Sequence, residues 1–79
     1  MKLFVKRVAK TRVYDYLVST VAKDGKYETA IKLLDRDYIV VQRYDNKDYA
    51  KIGHKKWVDF CGNKPLYALD VDTKEPTLF

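Results

Sequence analysis

Few residues in this 79-residue chain are equipped for covalent chemistry: Cys61 is its single cysteine, His54 its single histidine and Ser19 its single serine. A thiol or hydroxyl nucleophile needs a base held beside it. His54 and Asp59 flank Cys61, so a Cys/His/Asp set can be written down. Cys61 nevertheless follows Trp57 and Phe60 and reads as a small apolar packing residue. Ser19 falls within a strand pattern, with no G-x-S-x-G turn to present it. Gly25, Gly53 and Gly62 are isolated, so no glycine-rich loop is available to cradle a phosphate. One histidine and one cysteine do not make a zinc site. Asp35, Asp37, Asp45 and Asp48 read as turn formers and solvated charge rather than as a magnesium site. These residues predict no enzyme, no metal and no cofactor.

Basic residues interleaved with aromatic rings carry more information. Lys6, Arg7, Lys10 and Arg12 precede Tyr14 and Tyr16, and Lys51, His54, Lys55 and Lys56 lead into Trp57. Cations that neutralise phosphates supply sequence-independent affinity for nucleic acid, and aromatic faces offer stacking surfaces to unpaired bases. The net charge is +5 and it is polarised. Residues 1–12 hold basic residues and no acid, whereas residues 65–79 hold Lys74 against Asp70, Asp72 and Glu75. The candidate nucleic-acid contacts are therefore Lys6, Arg7, Lys10, Arg12, Lys51, Lys55 and Lys56, with Tyr14, Tyr16 and Trp57 for stacking. No RNP motif, zinc finger or helix-turn-helix pattern accompanies them. The alternative is a protein-binding inhibitor or adaptor, of phage or mobile-element origin and acting on a host or defence protein. Seven tyrosines suit that reading, because Tyr gives rigid amphipathic contact area.

The elements that must position these residues follow from one turn. Lys23-Asp24-Gly25-Lys26 is a two-residue hairpin signal, because Asp-Gly accepts the positive φ angles of a type I′ turn. It sets Ala22 against Tyr27, Thr20 against Thr29, Val18 against Ile31 and Tyr16 against Leu33 on one uncharged face. Val21 with Glu28, Ser19 with Ala30 and Leu17 with Lys32 form a mixed face. A first strand that turns at Ala9-Lys10 would put Arg7 opposite Arg12, Val5 opposite Tyr14 and Leu3 opposite Tyr16. A fourth strand over residues 38–44 pairs Ile31 with Val40 and Glu28 with Arg43. A helix over 12–22 is disfavoured by Val18-Ser19-Thr20-Val21 and by the absence of a capping box.

Beyond residue 44 the period weakens. Residues 45–54 read as a loop with at most one helical turn, and 55–61 as a fifth strand or a short helix ending at Gly62. Residues 66–71 read as a sixth strand. Phe4, Val13, Leu17, Val21, Ile39 and Val41 fall on the mixed face, which Trp57, Phe60 and Leu69 are expected to cover. The expected fold is mainly β with a small α+β variant, in one compact, barrel-like domain over residues 1–72. It is an antiparallel four-stranded meander plus a C-terminal strand or short helix. Residues 73–79 form a loose acidic tail unless Leu78 and Phe79 dock. The exposed edge strands offer a route to a homodimer. No apolar run reaches the ~18 residues of a membrane span. The lone cysteine and the short apolar part of the N-terminus point to a cytoplasmic protein.

Overall fold

The computed structural model describes residues 5–79. Four strands, β1 (Val5–Val13), β2 (Tyr16–Lys23), β3 (Lys26–Leu33) and β4 (Ile39–Tyr44), form an antiparallel meander in the order β1-β2-β3-β4. A 15-residue helix, α1 (Lys47–Cys61), then packs across one face of the sheet. A ribbon of β5 (Tyr67–Leu69) and β6 (Pro76–Leu78) completes the chain. The sheet stays open, with the helix as its cover on one side.

The Asp24-Gly25 turn has the geometry its residues dictate, with φ of 51° and 79°. The β2–β3 register is the expected one throughout, from Tyr16↔Leu33 to Lys23↔Lys26. Its uncharged face is the core: Val18, Thr20, Thr29 and Ile31 are fully buried beneath α1. Tyr16, Ile39, Val41, Cys61 and Ala68 extend that cluster.

Two registers differ from expectation. The first hairpin turns at Tyr14-Asp15 and not at Ala9-Lys10, so that Val13↔Tyr16, Arg12↔Leu17 and Thr11↔Val18 are the cross-strand partners. Arg7 lies opposite Val21, which dissolves both the Arg7–Arg12 pair and the Val5–Tyr14 pair. The longer pairing wins because it gives β2 a partner along its whole length and turns Thr11 and Val13 toward the helix while Lys10 and Arg12 face away. In return Tyr14 adopts a left-handed φ of 53°, at a cost of roughly 1 kcal/mol for a side chain of its kind. A bulge between Arg7 and Ala9 then shifts the phase of the remaining strand. Leu3, expected opposite Tyr16, and Phe4 lie outside the described residues.

Between β3 and β4 the expected Glu28↔Arg43 and Thr29↔Gln42 pairs are present, but Ile31 faces Ile39 instead of Val40. The bulge at this point brings both Ile39 and Val41 into the core, 5% and 8% exposed, away from the face to which strict alternation would send them. The mixed face consequently retains Leu17 and Val21 half-buried, and α1 covers the opposite face from the one expected to need a lid.

Over residues 55–61 the helix alternative holds, ending at Gly62, and the difference lies upstream, where the expected loop is the first half of the same helix. Asn46 caps it by accepting a bond from the Tyr49 amide at 2.8 Å. Ala50, His54, Trp57, Val58 and Cys61 recur at helical spacing along the face turned to the sheet. Gly62 caps the end with a right-handed φ of −61°. The segment 66–71 is strand only over β5, which pairs with β6. Phe79 docks, its ring 5.4 Å edge-on from that of Tyr16 and its amide bonded to the Leu66 carbonyl. Among the described residues, no helix is long and apolar enough to cross a membrane.

Candidate nucleic-acid interface

Alternation along the sheet decides which cations meet solvent together. On the face away from α1 the cross-strand rows read Arg12–Leu17–Lys32, Lys10–Ser19–Ala30 and Arg7–Val21–Glu28–Arg43. Glu28 is the single acid in these rows, and Arg43 already bonds it at 3.2 Å while pairing with Asp72. Those two acids hold the Arg43 guanidinium protonated more firmly than usual, and Arg43 in turn lowers the Asp72 carboxyl. Arg12 donates to the Tyr14 carbonyl and stands 3.7 Å from Asp15. Lys32 lies over the Tyr38 ring at 5.3 Å. Arg7 and Lys10 have no ion-pair partner among the described residues.

On the helix side of β1 lies a recess of about 280 Å³ lined by Lys6, Arg7, Val8, Ala22, Tyr27, Lys47 and Lys51. Its lining contains no acid. Lys47, Lys51 and Lys55 are spaced i, i+4, i+8 and so share one side of the helix. Like charges at that spacing weaken a helix by a few tenths of a kcal/mol per pair, and a cation in the first turn opposes the helix dipole. Local helix stability therefore does not explain these lysines.

The expected site residues thus separate. Lys6, Arg7, Lys10 and Arg12 are together on β1, and Lys51 lines the same recess as Lys6 and Arg7, with Lys55 one turn further along the helix. Lys56 is on the other side of α1, beside Gln42 and Tyr44, with its ammonium 4.7 Å from the centre of the Trp57 ring. Trp57 donates its indole N–H to Gln42 Oε1 at 2.9 Å and meets Phe60 edge-on, so it is a packing residue. Tyr16 is buried and its hydroxyl donates to the Pro65 carbonyl, which removes it as a stacking surface. Tyr14 is 61% exposed, but Lys64 sits over its ring. Lys47 and Lys32 belong to the surface but are not among the contacts expected from the sequence. The Asp-Gly register had already placed Lys32 on the outer face, whereas Lys47 needed the helix.

The residues equipped for covalent chemistry sit in the interior. His54 is held through both ring nitrogens, Nδ1 to Thr20 Oγ1 at 2.7 Å and Nε2 to Thr11 Oγ1 at 2.9 Å. From Thr20 the chain of bonds continues through Thr29 at 2.6 Å to the Tyr44 hydroxyl at 3.1 Å and on to Gln42. Gln42 Oε1 can only accept, so the Tyr44 proton is committed to it. Thr29 must then donate to Tyr44, Thr20 to Thr29, and His54 Nδ1–H to Thr20. Nε2 is left as the acceptor of the Thr11 hydroxyl. This chain leaves neutral His54 one tautomer, and burial lowers its pKa. Cys61 is fully buried and burial pushes its thiol up to about 11, away from the thiolate a nucleophile needs. Asp59 is exposed. Compared with known proteins, the chain matches no family model, no curated protein and no solved structure.

Proposed function

We propose that this protein is a non-catalytic nucleic-acid-binding module that contacts phosphates along β1 and the adjoining side of α1. The observation that carries this reading is a set of cations, Lys6, Arg7, Lys10, Lys47 and Lys51, that line the two sides of one edge strand without an ion-pair partner among the described residues, with Lys55 one turn further along α1. Such a surface raises the local concentration of a polyanion and neutralises several phosphates at once. The interior commitment of Tyr16 and Trp57 makes the contact one of phosphate neutralisation more than of base stacking.

Fluorescence anisotropy with a labelled 20-mer tests it. If about four cations meet phosphates, raising salt from ~50 to ~200 mM lowers affinity roughly 100-fold. Arg7→Ala/Lys10→Ala flattens the log–log salt slope by roughly two. Absence of binding at low salt ends the proposal.

A second reading, a protein-binding inhibitor or adaptor, has its own support in the apolar surface of the C-terminal ribbon. Leu66, Leu69 and Leu78 are 77%, 57% and 77% exposed beside a 440 Å³ recess walled by Trp57, Phe60 and Tyr67. Apolar patches of this kind mark contact surfaces. Affinity capture by the intact chain, abolished by Leu66→Asp/Leu78→Asp, would favour this reading over the first.

A further inference from the structure

Resting on the nucleic-acid reading above, we infer that the ligand is double-stranded B-form DNA, straddled by β1 so that its two flanks touch phosphates of the two different strands. The cations do not form one line. Lys10 and Arg12 project from the open face of the sheet, whereas Lys6, Lys47 and Lys51 belong to the helix side and gather at the recess behind β1; Arg7 is on the open face by register and also borders the recess. The rows lie on opposite sides of one strand, because successive side chains of a strand point to opposite faces of the sheet. A single strand following either row would leave the other unused. Two backbones facing each other across a major groove about 12 Å wide meet both rows at once. The deep, narrow major groove of A-form RNA does not offer that spacing.

The outer edge of β1 supports the same geometry. Among the described residues no strand pairs with it, so the strand between the two rows is free to approach a groove. The centre of the open face also lacks what a single strand would use. Its central positions are Leu17, Ser19, Val21 and Ala30, and none presents a ring for stacking.

The experiment compares a 20-base-pair DNA duplex, a single strand of the same length and an RNA duplex across a salt series. It uses the intact protein and three double variants checked for folding by circular dichroism. The DNA duplex should bind at least tenfold tighter than either alternative. Arg7→Ala/Lys10→Ala and Lys47→Ala/Lys51→Ala should each flatten the duplex salt slope by about two, and Arg36→Ala/Lys74→Ala, in the β3–β4 and β5–β6 connections, should leave it unchanged. Because duplex DNA has the denser charge, preference alone does not suffice and both flank variants must act. Equal or tighter binding of the single strand or the RNA duplex overturns the inference and leaves the nucleic-acid reading standing. So does a duplex slope insensitive to Lys47→Ala/Lys51→Ala, or one equally sensitive to Arg36→Ala/Lys74→Ala. Binding to none of the three at low salt overturns both.

Discussion

His54 shows how a single residue can look catalytic in a sequence and be structural in the fold. Both ring nitrogens are bonded to threonine hydroxyls, and neutral imidazole satisfies the whole chain of donors from Trp57 to Thr11. Burial disfavours the imidazolium, so the folded-state pKa lies below the ordinary value of 6.5. The unfolded chain therefore binds more protons than the folded one at pH values just below 6.5, and unfolding is favoured there. Stability should be at its plateau above about pH 7 and fall as pH drops from 6.5 toward the folded-state pKa. The lowered carboxyls of Asp45 and Asp72, each paired with a surface cation, act in a separate and more acid window, below their ordinary 3.8. As the only histidine in the chain, His54 can be isolated. Urea midpoints measured at pH 8, 7, 6 and 5 should decline for the native protein and stay level for His54→Gln, which is less stable at pH 8. A native profile that is flat from pH 8 to 5 would contradict the assignment.

At the scale of elements, the sheet was readable where turn chemistry and alternation agreed and unreadable where bulges intervened. Asp24-Gly25 fixed β2 against β3 without error, because only residues tolerant of positive φ occupy that turn. Tyr14-Asp15 carries no such signal, since a bulky residue at φ 53° is tolerated only when the paired strands hold it there. The β3–β4 bulge is equally silent in sequence, yet it decides that both Ile39 and Val41 enter the core. The helix hid behind its own lysines, which interrupt the apolar stripe of Ala50, Trp57 and Cys61, and behind a buried histidine and glycine that do not read as core. The candidate surface was legible as a list of cations on β1. Lys51 and Lys55 of its second flank were legible as candidates, but Lys47 was not, nor the placement of Lys47 and Lys51 beside β1, which comes only through helix packing.

Gly53 makes that packing testable. The Tyr44 ring lies so close above it that an added Cβ would overlap ring carbons as well as the hydroxyl. Alanine would raise helix propensity by about 1 kcal/mol in the open, but overpacking costs about 1–3 kcal/mol. Tyr44 is anchored to Thr29 and Gln42 and has little room to withdraw. Gly53→Ala is therefore expected to lose about 1–2 kcal/mol in chemical denaturation, and a gain in stability would refute the close approach.

For the molecule as a whole, the charges proposed to bind DNA are also charges the fold must hold together unaided. With a net charge of +5, repulsion between cations is expected to outweigh the surface ion pairs that Arg43, Lys26 and Arg12 make among the described residues. Paired groups are in contact and are screened little, whereas unpaired cations repel across distances comparable with the Debye length of about 10 Å at 0.1 M salt. Added salt should therefore remove more repulsion than attraction. Raising sodium chloride from ~0.05 to ~0.5 M is expected to stabilise the free protein by roughly 0.5–1 kcal/mol, a rise of a few degrees in Tm for a domain of this size. Chloride is the informative salt, because sulfate strengthens burial through exclusion from the surface whatever the charges do. Over the same series the affinity for duplex DNA should fall steeply, since the bound phosphates must compete with free ions. Opposite signs are expected because both slopes would have one cause, cations of β1 and α1 that have no ion-pair partner among the described residues. Thermal unfolding followed by circular dichroism alongside anisotropy measures both. A Tm that falls as chloride rises would mean that the ion pairs, and not the unpaired cations of β1 and α1, dominate the electrostatics of the fold.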